Sequence, residues 1–305
     1  MPRTGQKAKG RSASFDPIRI GIIGGSGLYN MTGLEDPREL RIKTPFGAPS
    51  DALVVGSLEG RRVVFLARHA RGHRFLPSEI NYRANIHAMK QLGVERIISV
   101  SAVGSLREDL KPLDFLIPDQ FYDRTSHRVS TFFGEGVAAH VGFDKPVCAQ
   151  LSGVLGDACD RVKVRVHRGG TYICMEGPQF STLAEAQIHR QLRFEVIGMT
   201  NVTEAKLARE AEICFATVAM ITDYDCWHPD YASVTLKEII SNLSRNAEHA
   251  QNMIREAVRS IPSERACKCG SALAHAIVTD LSVIPAAARK RLRVIAGKYL
   301  SPGAR

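Results

Sequence analysis

Short β-branched runs punctuated by glycine alternate along this chain with stretches of helical periodicity, and that alternation is the first guide to its fold. Residues 18–23 (IRIGII) form such a run and end in Gly24-Gly25-Ser26-Gly27, a strand giving way to a turn. Residues 53–55 and 62–67 predict a hairpin closed around Glu59-Gly60, while Gly33, Pro37, Pro45, Gly47 and Pro49 leave no room for a long helix over 28–50. From Ser78 the period changes. Tyr82, Ile86 and Met89 fall on one helical face, and Gly93 closes that run as a C-cap. The next strand spans 96–101 and closes on Ala102-Val103-Gly104, with further strands predicted over 115–117, 172–174, 196–199 and 214–221. Helices are predicted over 181–192, where Thr182 and Glu185 can form a capping box, and over 204–211, 236–259 and 285–300. Strands alternating with helices imply one α/β domain, a central mixed but mostly parallel sheet flanked by helices.

Composition changes this picture little. The 305 residues can build one large core, and no apolar run is long enough to cross a bilayer. The N-terminus lacks the apolar centre of a secretory signal, and seven cysteines without a dense framework suit a reducing compartment, so a cytoplasmic location is expected. The net charge of +10 raises the question of nucleic acid. Arg3, Lys7, Lys9 and Arg11 lie in a Gly/Ser-containing stretch without acidic residues, which predicts a disordered basic leader over 1–16 ahead of a domain over 17–302. The remaining charge is scattered and never interleaved with aromatics, so neither nucleic acid nor membrane is an expected partner. A positive surface also steers small anions inward.

The candidate chemistry gathers at strand ends. The glycine loop at 24–27 is close to a dinucleotide fingerprint, but its spacing is wrong, prolines break the segment that follows, and Asp51 precedes its strand instead of closing it. Two readings remain open for it: a plain tight turn, or a nest of N–H groups that holds one phosphate together with the Ser26 hydroxyl. Arg68 and His69 end one strand, where a guanidinium fork and an imidazole donor suit phosphate oxygens; a solvated basic loop is the bland alternative. His69 and His73 have the spacing of a metal pair but no third ligand, so no metal is expected. Ser101-Ala102 and Met199-Thr200 place hydroxyls at two more strand ends. After 214–221 come Asp223 and Asp225, which form either a surface turn or a pair that reads a purine, one carboxyl toward N7 and the other accepting from a 6-amino group. A carboxyl that donates toward N7 needs a raised pKa. Tyr224, Trp227 and Phe180 suit a flat heterocycle beside them.

With these residues together, the chain resembles the methylthioadenosine phosphorylases of the trimeric purine nucleoside phosphorylase family. The matching stretches are IGIIGGSGLY, TPFGAPSDAL, LARHARGH, LPSEINYRANI, SAVGSLRE, DQFYDRT, EGPQFST, GMTNVTEAKLARE and TDYDCW, in order from Ile20 to Trp227. The resemblance implies a nucleoside phosphorylase-like fold and cleavage of 5′-methylthioadenosine by phosphate into adenine and 5-methylthioribose 1-phosphate. It implies phosphate as co-substrate, no cofactor, and a homotrimer, with hexamers among relatives. It assigns phosphate to Ser26, Arg68, His69, the Ala102 backbone and Thr200, and puts Met199 under the ribose. Phe180, Ser181, Asp223 and Asp225 would hold adenine, with Asp223 as general acid. His140, Val234 and Leu281 would line the methylthio pocket, His140 and Leu281 by way of a neighbouring subunit or the C-terminal helix. Serine replaces the threonine frequent in animal members at 26, and Ser101 likewise stands where threonine is frequent. The likeness thins after Pro262, where Cys267-Lys268-Cys269 appears. Some heat-stable relatives form a disulfide at such a motif, but that bridge is strained and two thiols are too few for zinc, so reduced cysteines are expected; Cys148 with Cys214 is a second conceivable pair. The rival readings are a phosphorylase for methylthioinosine, inosine or guanosine, a nucleic-acid-binding protein, and a NAD-dependent dehydrogenase.

Overall fold

The computed structural model describes residues 17–25, 28, 31–229 and 236–300. The expected basic leader, Ser26 and Val234 therefore lie outside the described residues. Eleven strands form one sheet: β1 (Ile20–Gly24), β2 (Glu35–Leu40), β3 (Leu53–Leu58), β4 (Arg61–Ala67), β5 (Arg96–Ser105), β6 (Phe115–Ile117), β7 (Gln120–Arg124), β8 (Val166–Arg168), β9 (Thr171–Met175), β10 (Val196–Gly198) and β11 (Cys214–Asp223). The helices are α1 (Tyr82–Gln91), α2 (Ala149–Arg161), α3 (Leu183–Gln191), α4 (Asn201–Glu210), α5 (Leu236–Ser260) and α6 (Ala286–Leu300).

β5 is the hub. Its first half lies between β1 and β11, parallel to both, and its last residues pair with β10 in the antiparallel sense. Parallel pairs predominate, with antiparallel exceptions at β2–β3, β3–β4, β5–β10 and β6–β11. Alternate residues of the central strands point to opposite faces, and both faces are buried. Ile23, Ile97 and Phe215 pack with α1, α4 and α6, whereas Ile22, Ile98 and Ala216 pack with α2 and α5. This explains why these strands read as unbroken apolar runs. The C-cap at Gly93 (φ +91°) and the capping box of Thr182 with Glu185 are both present. Four elements have no counterpart in the sequence reading: β2, β7, β8 and α2.

β1, β5 and β11 run parallel and end together, so Gly24, Ser101 to Ser105 and Asp223 come to one edge of the sheet. The register slips between Ile221 and Asp223, a bulge that re-aims the last residues of β11. Asn246 Nδ2 on α5 bonds the Ile221 carbonyl at 2.9 Å, and Asn242 Nδ2 bonds that of Thr222 at 2.7 Å, which fixes this turn against α5.

Candidate active site

A cavity of about 690 Å³ opens at that edge, within the range of a small-molecule site. Gly25, Arg68 and His69 stand at one end, Thr222, Asp223 and Asp225 at the other, with Ala102, Phe180 and Met199 also in its wall. Of the residues singled out from sequence, the cavity gathers Arg68, His69, Ser101, Ala102, Phe180, Met199, Thr200, Asp223 and Asp225. Ser181 lies just behind: its carbonyl accepts from the thiol of Cys226, the residue after Asp225.

Arg68 is almost wholly buried and largely committed. Its Nε donates to Glu204 Oε1 at 2.5 Å, and Nη2 donates to Glu204 Oε2 at 3.1 Å and to Ser99 Oγ at 2.7 Å. Nη1 donates to the Val100 carbonyl at 2.9 Å. Five N–H bonds minus these four leaves one, on Nη1, the nitrogen that a side chain at Gly25 would touch. The guanidinium fork expected for phosphate thus grips Glu204, and Arg68 offers the cavity a single N–H.

Two further expectations change in detail. Ser101 Oγ donates to Asn201 Oδ1 at 2.7 Å, so its proton is unavailable to an anion. Asn201 in turn donates to Ser99 Oγ and Thr217 Oγ1, and Ser99 donates to Glu204. His69 Nδ1 lies 2.8 Å from the Phe75 carbonyl, which can only accept, so Nδ1 carries the hydrogen. Burial, with Arg68 nearby, pushes this histidine down to about 4, and the ring stacks on His73 at 4.2 Å. At neutral pH His69 therefore presents an acceptor at Nε2, where a donor was expected. Thr200 is the N-cap of α4 and makes no capping bond with its side chain. The positive end of that helix adds to the anion-binding character of this end. Arg71 turns outward to Asp51 and Glu39 and is not in the cavity wall.

The other end is built from carboxyls. Asp223 Oδ2 accepts from Thr222 Oγ1 at 2.7 Å and Oδ1 from the Asp225 N–H at 2.8 Å. Burial raises its pKa against these two bonds. Asp225 rises to about 6, chiefly through burial, opposed by the Ser181 hydroxyl beside it and helped by the charge of Asp223. The Ser181 hydroxyl stands beside Asp225, yet neither Ser181 Oγ nor the buried Asp225 Oδ2 makes a well-formed hydrogen bond among the described residues. Gly104 makes room for the pair: a Cβ there would meet Asp223 Oδ1 at 3.0 Å and Asp225 Cβ at 3.3 Å. Tyr224 and Trp227, expected against a heterocycle, pack instead in a core cluster with Leu106 and Ile173, and Trp227 Nε1 donates to Ser105 O. Only Phe180 of the three aromatics lines the cavity.

His140 and Leu281 do not line this chain's cavity. Their two segments meet elsewhere, where His140 N bonds Ala276 O and Val278 N bonds Ala138 O. Sequence reasoning also passed over Glu204 and Ser99, which had no signal beyond lying in a predicted helix and strand, and Asn201, which falls between two predicted elements. It missed Arg128 as well, a side chain only 1% exposed that bonds Glu176 and the Met199 carbonyl and so ties two walls of the cavity together.

This fold and cavity define a class. The chain belongs to the Phosphorylase superfamily, whose model matches residues 19–259. The S-methyl-5′-thioadenosine phosphorylase of Koribacter versatilis is 63% identical over 92% of this chain and 96% of its own. That of Geobacter sulfurreducens is 58% identical over 92% of this chain and 99% of its own. Among solved structures, a methylthioadenosine phosphorylase from an Antarctic soil metagenomic library shares 50% identity with a TM-score of 0.88, covering 92% of this chain and 99% of that one. One from Schistosoma mansoni in complex with adenine shares 33% identity with a TM-score of 0.80, covering 88% of this chain and 98% of that one.

Proposed function

We propose that this chain cleaves 5′-methylthioadenosine with inorganic phosphate, giving adenine and 5-methylthioribose 1-phosphate, as a cytoplasmic homotrimer. The observation that carries this reading is the buried Asp223–Asp225 pair opposite an anion-binding end in one cavity, in a chain 63% identical to a relative of that name.

In this reading a phosphate oxygen attacks C1′ of the ribose while the C1′–N9 bond breaks, through a transition state of oxocarbenium character. The Arg68 N–H, the start of α4 and the backbone at Gly25 and Ala102 orient the phosphate. Orientation supplies a large share of such rates. His69 Nε2 accepts from a protonated phosphate oxygen, a role that suits a neutral ring. The bonding pair leaves with the purine, and the Asp223 proton goes to N7, so adenine departs neutral; Asp223 is the general acid. Asp225 Oδ2 accepts from the 6-amino group, and Phe180 and Ser181 complete the base site. Met199 lies under the ribose. Support for a trimer comes from His140 and Leu281, whose segments meet away from this chain's own cavity and would complete the methylthio pocket of a neighbour. A preference for a 6-oxo purine would need a donor where Asp225 presents an acceptor.

The test is product formation from methylthioadenosine, methylthioinosine, adenosine and inosine, each with and without phosphate. Phosphate-dependent adenine release, fastest from methylthioadenosine, is expected. Hypoxanthine from the inosine forms alone would overturn the base assignment, and no turnover at all would overturn the activity.

A further inference from the structure

At the opposite end of β11, about 30 Å from Asp223 at 3.3 Å per residue, the chain gathers four cysteines. Cys148 immediately precedes α2, Cys214 opens β11, and Cys267 and Cys269 lie in the connection after α5. Their sulfur atoms all lie within 4.8 Å of one another, and Cys214 and Cys267 Sγ are 3.3 Å apart. The expectation of no zinc at Cys267-Lys268-Cys269 counted only its two thiols. Folding adds two more from positions 53 and more residues away in sequence.

We propose that these four cysteines bind one zinc ion as a tetrahedral tetrathiolate that staples the segment after α5 to the sheet. Four sulfurs around zinc at about 2.3 Å stand about 3.8 Å apart, which is the size of this cluster. The backbone is already arranged for it. Cys267 is extended (φ −120°, ψ 163°), so Cys267 and Cys269 turn inward while Lys268 between them is exposed. The surroundings are apolar, formed by the same core that holds Leu151, Ala216 and Ile261, and they shield the thiolates from water. Cys148 stands at the N-cap of a 13-residue helix, whose dipole favours a thiolate. A second observation concerns charge. Four thiolates around Zn²⁺ carry two net negative charges, and Arg96, the register partner of Cys214 on β5, is buried with Nη2 unpartnered among the described residues. Binding converts S–H to S⁻ and releases protons, with no change of oxidation state.

The test uses the untagged full chain purified under reducing conditions. Elemental analysis should find about one zinc per chain, and the Cys267→Ser/Cys269→Ser double variant and Cys148→Ser should each fall to near zero. Phosphorolysis by these variants at low temperature should be unchanged, since the cluster is far from the cavity, while their Tm falls. Cobalt replacement in the unmutated protein gives a readout that needs no variant to fold: sulfur-to-cobalt charge transfer with the intense visible bands of tetrahedral cobalt. The proposal is overturned if the reduced protein takes up neither zinc nor cobalt. It is equally overturned if metal persists in the double variant, or if the freshly isolated chain is metal-free with a mass four hydrogens short, the signature of two disulfides.

Discussion

The two ends of the cavity solve opposite problems. At the anion end a full positive charge is buried and largely satisfied: Arg68 spends four N–H bonds on Glu204, Ser99 and Val100 and keeps one for the cavity, and Asn201 locks the same network to Ser101 and Thr217. At the base end two carboxyls are buried with no ion pair among the described residues, their pKa values raised, and one oxygen of Asp225 lacking a well-formed hydrogen bond among them. The first end is largely arranged before any ligand arrives. The second is left costly, and only a ligand offering an N–H and a proton acceptor relieves it. Preorganisation thus sits where charge must be positioned, and unsatisfied groups sit where specificity must be read.

Breaking the anion end should have the largest effect. Arg68→Met leaves Glu204 as an uncompensated buried charge, so a loss of about 3–5 kcal/mol is expected in urea unfolding, with activity lost alongside. If the variant unfolds at the same urea concentration as the parent, the network is not the keystone described. Next comes Asp223→Asn, which removes the proton donor and keeps the shape. A fall in kcat of roughly 10²–10⁴-fold is expected, with Tm unchanged or higher.

The third prediction sharpens the contrast in sign. Asp225 has its folded pKa raised to about 6, so the folded state holds its proton more tightly than the unfolded chain does. The stability it contributes is full below the unfolded value near 4 and is lost as pH rises through 6. Asp225→Asn should therefore be more stable than the parent by about 1–3 kcal/mol at pH 8, a gain that disappears near pH 4, while adenine release slows. Urea midpoints at the two pH values check this. The smallest effect belongs to His69, whose depressed pKa works the other way. Its contribution is full above pH 6.5 and drains as pH falls toward 4. His69→Gln should flatten the acid limb of the stability curve by about 1 kcal/mol, discounting for partial solvent access.

The same contrast explains what could be read from sequence. Strands buried on both faces, such as β1, β5 and β11, announce themselves as apolar runs, and helix ends marked by Gly93 or Thr182 are equally plain. Edge strands are not: β2 (EDPREL) and β7 (QFYDR) close two of the three ends of the branched sheet, are mostly exposed, and carry polar residues, with a proline in β2. Helix α2 did carry a signal, Leu151, Leu155 and Ala158 on one face, but Gly153 and Gly156 interrupt its propensity. Site residues at strand ends were legible because the topology brings strand ends together. What each does was less so, because the partners lie far away in sequence. Glu204 takes the Arg68 fork from 136 residues off, Asn201 takes the Ser101 proton, and Tyr224 and Trp227 turn into the core. The four cysteines needed the folded chain for the same reason.

The most direct measurement places methylthioadenosine and methylthioinosine in one tube at saturating phosphate and follows adenine against hypoxanthine, for the parent and for Asp225→Asn. If unsatisfied carboxyls read the base, the parent should release adenine faster by at least ~10-fold, and the variant should lose most of that preference. Equal or faster hypoxanthine release by the parent would contradict the account, because a 6-oxo group gives Asp225 nothing to accept.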